Sequence, residues 1–260
     1  VSSQFITGLL LALSVVPGKS RIELTSHLES AAYVDITINE LRAFGADITV
    51  HENGYTIKGK TALQGIDRQI EGDWSQAAVF LSAGAACGDI TICGLDINSL
   101  QGDKQIVQLL ERFGADIQAL ASGIKVKKSR LKGITIDASQ IPDLVPILAV
   151  TAAFAEGETV ITNAQRLRIK ESDRLKETTL RLKKFGIFAE ETEDGIKIIG
   201  STPHSADITS ADDHRIVMCF SVLASMCEGT SRIEGAEAIN KSYPTFFEDF
   251  RSLGGNVNVF

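Results

Sequence analysis

Four segments of the chain end alike, and this repetition constrains the fold more than any other feature of the sequence. The segments are LRAFGADITV, LERFGADIQA, LKKFGIFAEE and FRSLGGNVNV. They recur about every 70 residues, a period that is too long for a small solenoid repeat and suits a supersecondary unit of several elements. A glycine directly after an amphipathic helix is also the usual C-terminal stop of that helix. The sequence therefore predicts four related units in tandem.

The second and third copies show the unit in full. Each reads as a strand, an apolar helix, a strand, an amphipathic helix and two short strands. In the second copy these segments are RQIEGD, SQAAVFLSAGAAC, DITICGL, GDKQIVQLLERFG, DIQALA and GIKVKK. In the third they are GITIDAS, LVPILAVTAAFA, ETVITN, KESDRLKETTLRLKKFG, FAEETE and GIKIIG. The predicted fold class is therefore α/β (α+β), built from repeated βαβαββ units.

The first and last copies are shorter than the unit. The first opens directly at the helix SQFITGLLLALSVV, on a chain that begins with Val1 rather than Met, and the last stops at NVNVF, one strand short. A unit that lacks a strand leaves an open sheet edge. We therefore expect the chain to be the C-terminal part of a longer protein, truncated at the N-terminus, or to need a complementary piece.

Composition narrows the classes of partner. The net charge of -7 argues against a nucleic-acid partner, although a local cluster of cations can still bind small anions. The four cysteines form no CxxC pair, so the sequence predicts no metal site. The apolar run Phe5–Val16 is too short to span a bilayer and lacks the basic flank of a signal peptide. We expect a cytoplasmic protein without a membrane partner.

Polar side chains stand at the predicted helix starts, which in a βαβ unit lie at the carboxyl ends of the strands, where ligands bind. Converging helix N-termini also form anion sites. Helix capping is the simpler explanation for Asp73, Ser75, Ser99 and Asp103. Cations are different, because the helix dipole disfavours positive charge there unless an anion is bound. Such cations occur at Lys170–Arg174, at His214-Arg215 and at Lys241.

The segment RIKESDR allows two interpretations. On a helix, Lys170, Glu171 and Arg174 would share one face, which is consistent with a ligand site. The alternative is an intrahelical ion-pair ladder that stabilises the helix by only a few tenths of a kcal/mol per pair. Of the histidines, only His214 has a neighbouring cation at a predicted helix start, and we expect the others to be surface residues.

Six motifs in one order carry a resemblance to a known family. They are SSQFITGLL (2–10), EGDWSQAA (71–78), IPDLVPILAVTAAFAEGET (141–159), LRIKESDRL (167–175), DHRIVM (213–218) and KSYPTFFEDFRSLG (241–254). Together they resemble the 5-enolpyruvylshikimate-3-phosphate synthase family, also called 3-phosphoshikimate 1-carboxyvinyltransferase, over the whole chain. The combination of KESDRL, DHR and KSYP is specific, whereas each motif alone is not.

The resemblance implies a two-domain fold of three βαβαββ units per domain, an inside-out α/β barrel. Residues 1–70 would then be the incomplete last unit of the N-terminal domain, and residues 71–260 the C-terminal domain. It implies an enzyme of the shikimate pathway of aromatic amino-acid biosynthesis, a monomer at full length. That transferase moves the enolpyruvyl group of phosphoenolpyruvate to the 5-hydroxyl of shikimate 3-phosphate and needs no metal or organic cofactor. Because the family's N-terminal phosphoenolpyruvate ligands are absent, we expect this chain alone to be inactive.

The resemblance also implies roles for individual residues. Catalytic roles fall to Asp143, Glu171 and Lys170. Asp143 matches a base and Glu171 a candidate acid, and the reverse assignment stays open. The implied ligands of shikimate 3-phosphate are Ser2, Ser3, Gln4, Ser30, Tyr33, Asp143, Arg166 and Lys170. The implied ligands of phosphoenolpyruvate are Gln4, Arg174, His214, Arg215 and Lys241.

Two departures and two alternatives accompany this interpretation. Arg166 stands where many members have Asn, and VPGKSRIEL (16–24) mimics a lost N-terminal motif although its place in the repeat predicts a strand. One alternative is UDP-N-acetylglucosamine 1-carboxyvinyltransferase, which shares the fold. The other is a non-catalytic fragment that works only with a complementary chain.

Overall fold

The computed structural model describes residues 2–60 and 62–260, so that Val1 lies outside it. The chain forms two compact units, each with its own apolar core. The first unit comprises the described residues up to Glu71 together with Ile97–Lys104, and the second comprises Gly72–Asp96 and Gln105–Phe260. That these units belong to two different domains of a longer protein, with 1–70 in one and 71–260 in the other, stays a prediction.

The first unit contains two helices and three strands. They are α1 (Ser3–Val15), β1 (Gly18–Glu23), α2 (Ala31–Ala43), β2 (Asp47–His51) and β3 (Gly54–Gly59). The strands form an antiparallel sheet in the order β1-β3-β2. Both helices pack on one face of it, where Leu10, Ile38 and Ile57 share a core. The element order of the first copy is as predicted, and VPGKSRIEL supplies β1 as expected from the repeat.

The second unit contains three copies of the repeat. The second copy of the repeat, which is the first in this unit, has α3 (Trp74–Cys87), β4 (Asp89–Cys93), α4 (Ile106–Phe113), β5 (Asp116–Leu120) and β6 (Gly123–Lys127). The next has β7 (Thr135–Asp137), α5 (Val145–Ala153), β8 (Glu158–Thr162), α6 (Arg174–Lys184), β9 (Phe188–Glu191) and β10 (Ile196–Ile199). The last has β11 (Asp207–Thr209), α7 (His214–Ser225), β12 (Arg232–Glu234) and α8 (Phe246–Ser252). Short 3-10 helices precede α4, α5, α6 and α8.

The strands of the second unit form open sheets rather than one closed barrel. Their orders are β4-β6-β5, β7-β8-β10-β9 and β11-β12. The first strand of a copy pairs in parallel with the second, as β7 does with β8. The two closing strands pair antiparallel, and the last of them lies between its two neighbours. This alternation of helices and strands confirms the predicted α/β class.

Three apolar helices form the centre of the second unit. All of α5 is buried, and so are most residues of α3 and α7. A helix that is apolar on every side needs partners on every side. The three helices supply this for one another, since each packs against the other two. Their N-terminal ends carry the side chains of the site described below.

Two predicted strands do not form. RQIEGD (68–73) is irregular. It should pair with β4, but the backbone hydrogen bond between them, from Gly72 N–H to Gly94 O at 2.9 Å, lies just beyond the end of that strand. NVNV (256–259) is also irregular. In the other copies the corresponding strand pairs only with the last strand of its copy, and the described residues contain no such strand for this copy.

Two predicted helices begin later than expected. The helix predicted from Lys170 begins at Arg174, because Lys170 has an extended backbone and Asp173 caps the helix by accepting from Lys176 N–H. The helix predicted from Lys241 begins at Phe246. Pro244 disfavours helical backbone at the residue before it, which delays this start.

None of the described helices combines the length and apolar character that a bilayer crossing requires. Helix α1 nevertheless exposes a run of apolar side chains. Ile6 and Leu10 face the core of the first unit, whereas Phe5, Leu9 and Val15 lie on the opposite side and are exposed. Only one side of this helix therefore contributes to the core.

We predict that Leu10→Ala destabilises the first unit by about 2–5 kcal/mol, because Leu10 is fully buried and its truncation leaves a cavity. The matched control is Leu9→Ala on the same helix, where the side chain is 46% exposed. Urea denaturation with hydrogen exchange in α1 and α2 measures both. Equal losses of unfolding free energy for the two variants would show that the assignment of Leu10 to the core side of α1 and of Leu9 to its exposed side is wrong.

Candidate active site

The side chain of Arg174 is the centre of a polar cluster in the second unit. It is the first residue of α6, and only 1% of its side chain is exposed. Its guanidinium donates to Asp143 Oδ1 and to Glu171 Oε2, each at 2.7 Å. It also donates to both carboxylate oxygens of Asp213, from Nε at 2.7 Å and from Nη2 at 3.3 Å. One guanidinium therefore joins three carboxylates.

Three separate segments supply these carboxylates. Asp143 lies in the 3-10 helix before α5, Glu171 in the loop before α6, and Asp213 at the N-cap of α7. A buried cation at a helix N-terminus is unfavourable on two grounds, its desolvation and the helix dipole. The three carboxylates compensate for both. The inference that this cation requires a bound anion is therefore wrong for Arg174, because the protein itself provides the anions.

Asp213 lies at the centre of this cluster, although the sequence interpretation gave it no role beyond its place in the DHRIVM motif. Its side chain is fully buried and caps α7 by accepting from Arg215 N–H at 2.9 Å. It also accepts from Ser172 Oγ at 3.0 Å. Asp213 thus holds both the start of α6 and the loop before it against α7. The Asp directly before a predicted helix was the available signal, but it predicts only a cap.

Asp143 is surrounded by three cations. Besides its bond to Arg174, its Oδ1 lies 3.5 Å from Lys170 Nζ and 3.6 Å from Arg215 Nε. Burial alone would raise the pKa of Asp143. The charges of Arg215, Lys170 and Arg174 outweigh this effect and lower the pKa to about 2. The carboxylate is therefore ionised at neutral pH.

Glu171 bridges two cations in the same way. Its Oε1 accepts from Lys241 Nζ at 2.5 Å, and its Oε2 accepts from Arg174. Burial again acts to raise the pKa, but the hydrogen bond from Lys241 and the charge of Arg174 dominate and lower the pKa of Glu171 to about 2. In this state Glu171 carries no proton that it could deliver. The predicted acid role therefore requires that its cations move to another anion.

His214 lies next to this cluster as the first residue of α7. Its side chain is 6% exposed, and its Nδ1 is 3.9 Å from Asp213 Oδ1. Burial, and after it the charge of Arg215, lowers the pKa of His214 below its ordinary value. The imidazole is therefore neutral at neutral pH. Arg215 follows on the same turn with a side chain that is 14% exposed.

Lys170 and Glu171 reach the cluster from non-helical backbone, and Lys241 reaches it from the end of a 3-10 helix. The expectation that Lys170 and Glu171 share a helical face with Arg174 is wrong, since both precede α6. Lys241 ends the 3-10 helix Ala236–Lys241 instead of starting a helix. At that end the dipole favours a cation. Gln76, at the start of α3, donates to Ser242 O at 2.6 Å and so fixes the backbone beside Lys241.

Two arginines precede the cluster on the 3-10 helix Gln165–Ile169. Arg166 is half-buried, and its role as a substrate ligand stays a prediction. Arg168 donates to Glu191 Oε2 at 2.7 Å and to Thr192 O at 3.1 Å, and it also contacts Asp173. Arg168 therefore ties the loop that carries Lys170 and Glu171 to the turn after β9.

The site residues predicted in the first unit lie at two helix starts. Ser2 caps α1 by accepting from Gln4 N–H at 3.3 Å, and Ser3 follows it with a buried side chain. Ser30 precedes α2 in a left-handed conformation and makes no cap bond with its side chain. Tyr33 is exposed on the first turn of α2. The C-terminal ends of both helices contact the segment that follows β3, because Lys60 N–H donates to Ser14 O of α1 and Gln64 N–H donates to Phe44 O directly after α2. Their N-termini therefore lie towards the other end of the unit.

The capping explanation is confirmed at Asp73, which accepts from Ser75 and Gln76 N–H at 2.8 and 3.2 Å. Ser99 accepts from Gln101 N–H and donates to Glu71. Within the part of the chain that the structure describes, no three His, Cys, Asp or Glu side chains are arranged to hold a metal ion. Cys87 lies in an apolar stretch of the sequence and is nevertheless exposed at the end of α3.

A cluster of cations and carboxylates at converging helix starts suits chemistry on small anions, and comparison with known proteins identifies the family. The sequence profile of EPSP synthase (3-phosphoshikimate 1-carboxyvinyltransferase) matches residues 1–250. The chain belongs to this family. The 3-phosphoshikimate 1-carboxyvinyltransferase of Clostridium kluyveri is 48% identical over 99% of the chain. The chain spans 61% of the length of that relative.

Solved structures agree with this family membership. An EPSP synthase from Acinetobacter baumannii is 32% identical, with a TM-score of 0.87 over 99% of this chain and 62% of the other. The enolpyruvyl transferase NikO from Streptomyces tendae is 21% identical, with a TM-score of 0.79 over 96% of this chain and 58% of the other. At that lower identity the likeness concerns the fold, and it confirms the predicted architecture of repeated α/β units.

We predict that Arg174→Met destabilises the second unit by about 3–5 kcal/mol, because it leaves the fully buried Asp213 without its compensating cation. Lys176→Met, on the exposed side of the same helix, is the matched control and should change the free energy of unfolding by less than about 0.5 kcal/mol. Urea denaturation measures both. A loss below about 1 kcal/mol for the arginine variant would contradict its central role.

Asp143 should contribute to the way the free energy of unfolding falls at acidic pH. Its folded pKa of about 2 lies below the unfolded value, so its stabilising contribution is present above about pH 4 and is lost as the pH falls towards 2. Between those pH values we predict that Asp143→Asn flattens the pH dependence of the free energy of unfolding by about 2 kcal/mol. Urea denaturation at several pH values measures this change. An unchanged slope would show that Asp143 is not paired in solution.

Proposed function

We propose that the protein to which this chain belongs transfers the enolpyruvyl group of phosphoenolpyruvate to the 5-hydroxyl of shikimate 3-phosphate. The products are 5-enolpyruvylshikimate 3-phosphate and phosphate. The observation that carries the proposal is the cluster of Asp143, Lys170, Glu171, Arg215 and Lys241 around Arg174 in a chain of this family. Because the chain spans 61% of its relative, we propose that it supplies part of the active site and has no turnover alone.

The charges of the cluster support binding of a substrate with a phosphate and a carboxylate. Arg215, Lys170 and Lys241 have side chains that are 14%, 28% and 55% exposed, so incoming anions can reach them. Each now contacts Asp143 or Glu171. We therefore propose Arg215 and Lys241 as phosphoenolpyruvate ligands of the chain, with His214 beside them, and Lys170, next to Asp143, as a ligand of shikimate 3-phosphate. Arg174, whose donors face carboxylates, would chiefly position the other groups.

Substrate anions would also prepare the two carboxylates for proton transfer. The reaction forms a bond from the 5-hydroxyl oxygen to the enol carbon and breaks the bond to phosphate, so one group must take the hydroxyl proton and one must protonate the methylene carbon. Asp143 and Glu171 have low pKa values because cations surround them. An anion that engages those cations raises both pKa values, since it weakens the stabilisation of the charged carboxylates. Asp143 then becomes a better base, and Glu171 can carry a proton.

The proposed ligands of shikimate 3-phosphate in the first unit are Ser2, Ser3, Gln4, Ser30 and Tyr33. Support comes from the two helix starts at one end of that unit, where free N–H groups favour a phosphate. Ser30 has no cap bond to its own helix, so its hydroxyl is suited to a ligand. The UDP-N-acetylglucosamine alternative is disfavoured, because the relative at 48% identity bears the 3-phosphoshikimate name. Cytoplasmic location and a monomeric full-length state complete the proposal.

A chimera tests this function. In it the chain replaces the matching 61% of the Clostridium kluyveri relative, and phosphate release from phosphoenolpyruvate is measured. We predict release that requires shikimate 3-phosphate, and none from the chain alone. Phosphate release that requires UDP-N-acetylglucosamine instead would overturn the proposed substrate. Turnover by the chain alone would overturn the proposal that it supplies only part of the active site.

Within the chimera, Glu171→Gln should lower kcat by about 10²- to 10⁴-fold, because the amide cannot transfer a proton. Binding of shikimate 3-phosphate, measured by calorimetry, should change less than about threefold. Glu190→Gln, an exposed change on β9, is the control and should leave both quantities unchanged. If binding falls while kcat is kept, Glu171 acts only as an ion-pair partner.

A further inference from the structure

The side chain of Gln76 links two copies of the repeat that are far apart in the sequence. Gln76 lies in the first turn of α3, and its Nε2 donates to the backbone oxygen of Ser242 at 2.6 Å, across 166 residues. The acceptor directly follows Lys241, whose Nζ contacts Glu171. Ser242 is exposed, so water could satisfy its carbonyl oxygen without this bond. The bond therefore determines where the segment lies rather than satisfying a buried group.

A second contact from the same face of α3 holds this segment. Phe80 is four residues after Gln76 and so lies on the same face of the helix. The ring centroid of Phe80 is 6.2 Å from that of Tyr243, edge to face, and 5.5 Å from that of Phe246. The segment that follows Lys241 is thus attached to α3 at two places, by aromatic packing and by the amide of Gln76. The amide is the contact nearer to Lys241.

The two cations that contact Glu171 are not held equally firmly. The side chain of Arg174 is 1% exposed and is bonded to three carboxylates. The side chain of Lys241 is 55% exposed, and in the part of the chain that the structure describes Glu171 is its ion-pair partner. A lysine side chain retains much rotamer freedom, so the position of Lys241 Nζ depends on where its backbone lies.

We propose that Gln76 is a positioning residue, which acts through the backbone of Ser242 to place Lys241 against Glu171 and, in the working enzyme, against phosphoenolpyruvate. The first part stands on the contacts of the chain, and the second part rests on the proposed function. Aromatic packing has little directionality, whereas a hydrogen bond fixes both distance and direction. Without the amide of Gln76, Lys241 would occupy positions further from Glu171, where its charge stabilises the ionised carboxylate less.

The substitution Gln76→Met separates this role from a role in forming α3. The cap of α3 uses the backbone N–H of Gln76, which donates to Asp73 Oδ1, and this bond does not need the side chain. Methionine is a good helix former of similar length, so the helix should persist. The aromatic contacts of Phe80 also remain. What the variant removes is the donor to Ser242 O.

Titration of Glu171 in the chain alone tests the first part of the proposal. Carbon-13 NMR should show that Gln76→Met raises the midpoint of Glu171 protonation by at least about half a pH unit, and Lys241→Met by at least about one pH unit. The titration of Asp143 should stay unchanged, because its pKa is lowered by other cations. Gln118→Met, the same change on an exposed position of β5, is the control and should move neither group.

The double variant Gln76→Met/Lys241→Met shows whether Gln76 acts through Lys241. If it does, the double variant should titrate at Glu171 as Lys241→Met does, because the two changes remove one interaction. The proposal is overturned if Gln76→Met leaves the titration of Glu171 unchanged. It is also overturned if the two shifts add in full, or if Gln76→Met moves Asp143 by as much as Glu171, which would indicate a general loosening of the site.

Kinetics of the chimera with the Clostridium kluyveri relative test the second part. There Gln76→Met should raise the KM for phosphoenolpyruvate by about three- to tenfold and change the KM for shikimate 3-phosphate by less than about twofold. Gln118→Met should change neither KM. Unchanged KM values beside a shifted titration would overturn the substrate part of the proposal. A failure of the proposed function is distinguishable, because it would appear as absent phosphate release in the unsubstituted chimera, whereas the titration needs no substrate.

Discussion

The buried guanidinium of Arg174 is the interaction on which the candidate site depends. It draws together a carboxylate before α5, one in the loop before α6 and one at the cap of α7. These elements belong to two different copies of the repeat, so the ion cluster joins the two copies at the N-terminal ends of α5, α6 and α7. Removing a single partner would leave buried charges uncompensated, which is far more costly than losing a surface ion pair.

The same cluster explains how the carboxylates of Asp143 and Glu171 can be fixed in position and yet remain ionised. Asp143 and Glu171 have lowered pKa values because the cations of the site are directed at them. Those cations are also the groups that suit a phosphate and a carboxylate. Anion binding and carboxylate protonation are therefore coupled through shared partners, with Lys170 and Arg215 acting on Asp143 and Lys241 acting on Glu171.

The sequence predicted the repeat well because helical and strand periodicities are local properties. The glycines after the second helices and the apolar first helices were sufficient to order nearly all elements. RQIEGD and NVNV failed for a non-local reason, since a strand forms only where a neighbouring strand can pair with it. Nothing within those segments records whether that neighbour is present.

For the site, the residue types pointed to the correct segments but not to their arrangement. Lys170, Glu171 and Arg174 were identified by their charge, yet their contacts arise from a loop and a helix start rather than from one helical face. Asp213 and Gln76 escaped notice because their local roles are ordinary capping and their important contacts lie far away in sequence. Long-range ion pairs of this kind leave no periodic signal.

The most direct test of this account is the ionisation state of the two carboxylates in the folded chain. Carbon-13 NMR of the side-chain carboxyl groups of Asp143 and Glu171 can follow each group from pH 7 to pH 3, with Arg174→Lys as an aid to assignment. With pKa values of about 2, both groups should remain ionised down to about pH 3 while the chain is folded. Titration of either group near pH 4 in the folded chain would contradict the central role of Arg174 and its surrounding cations.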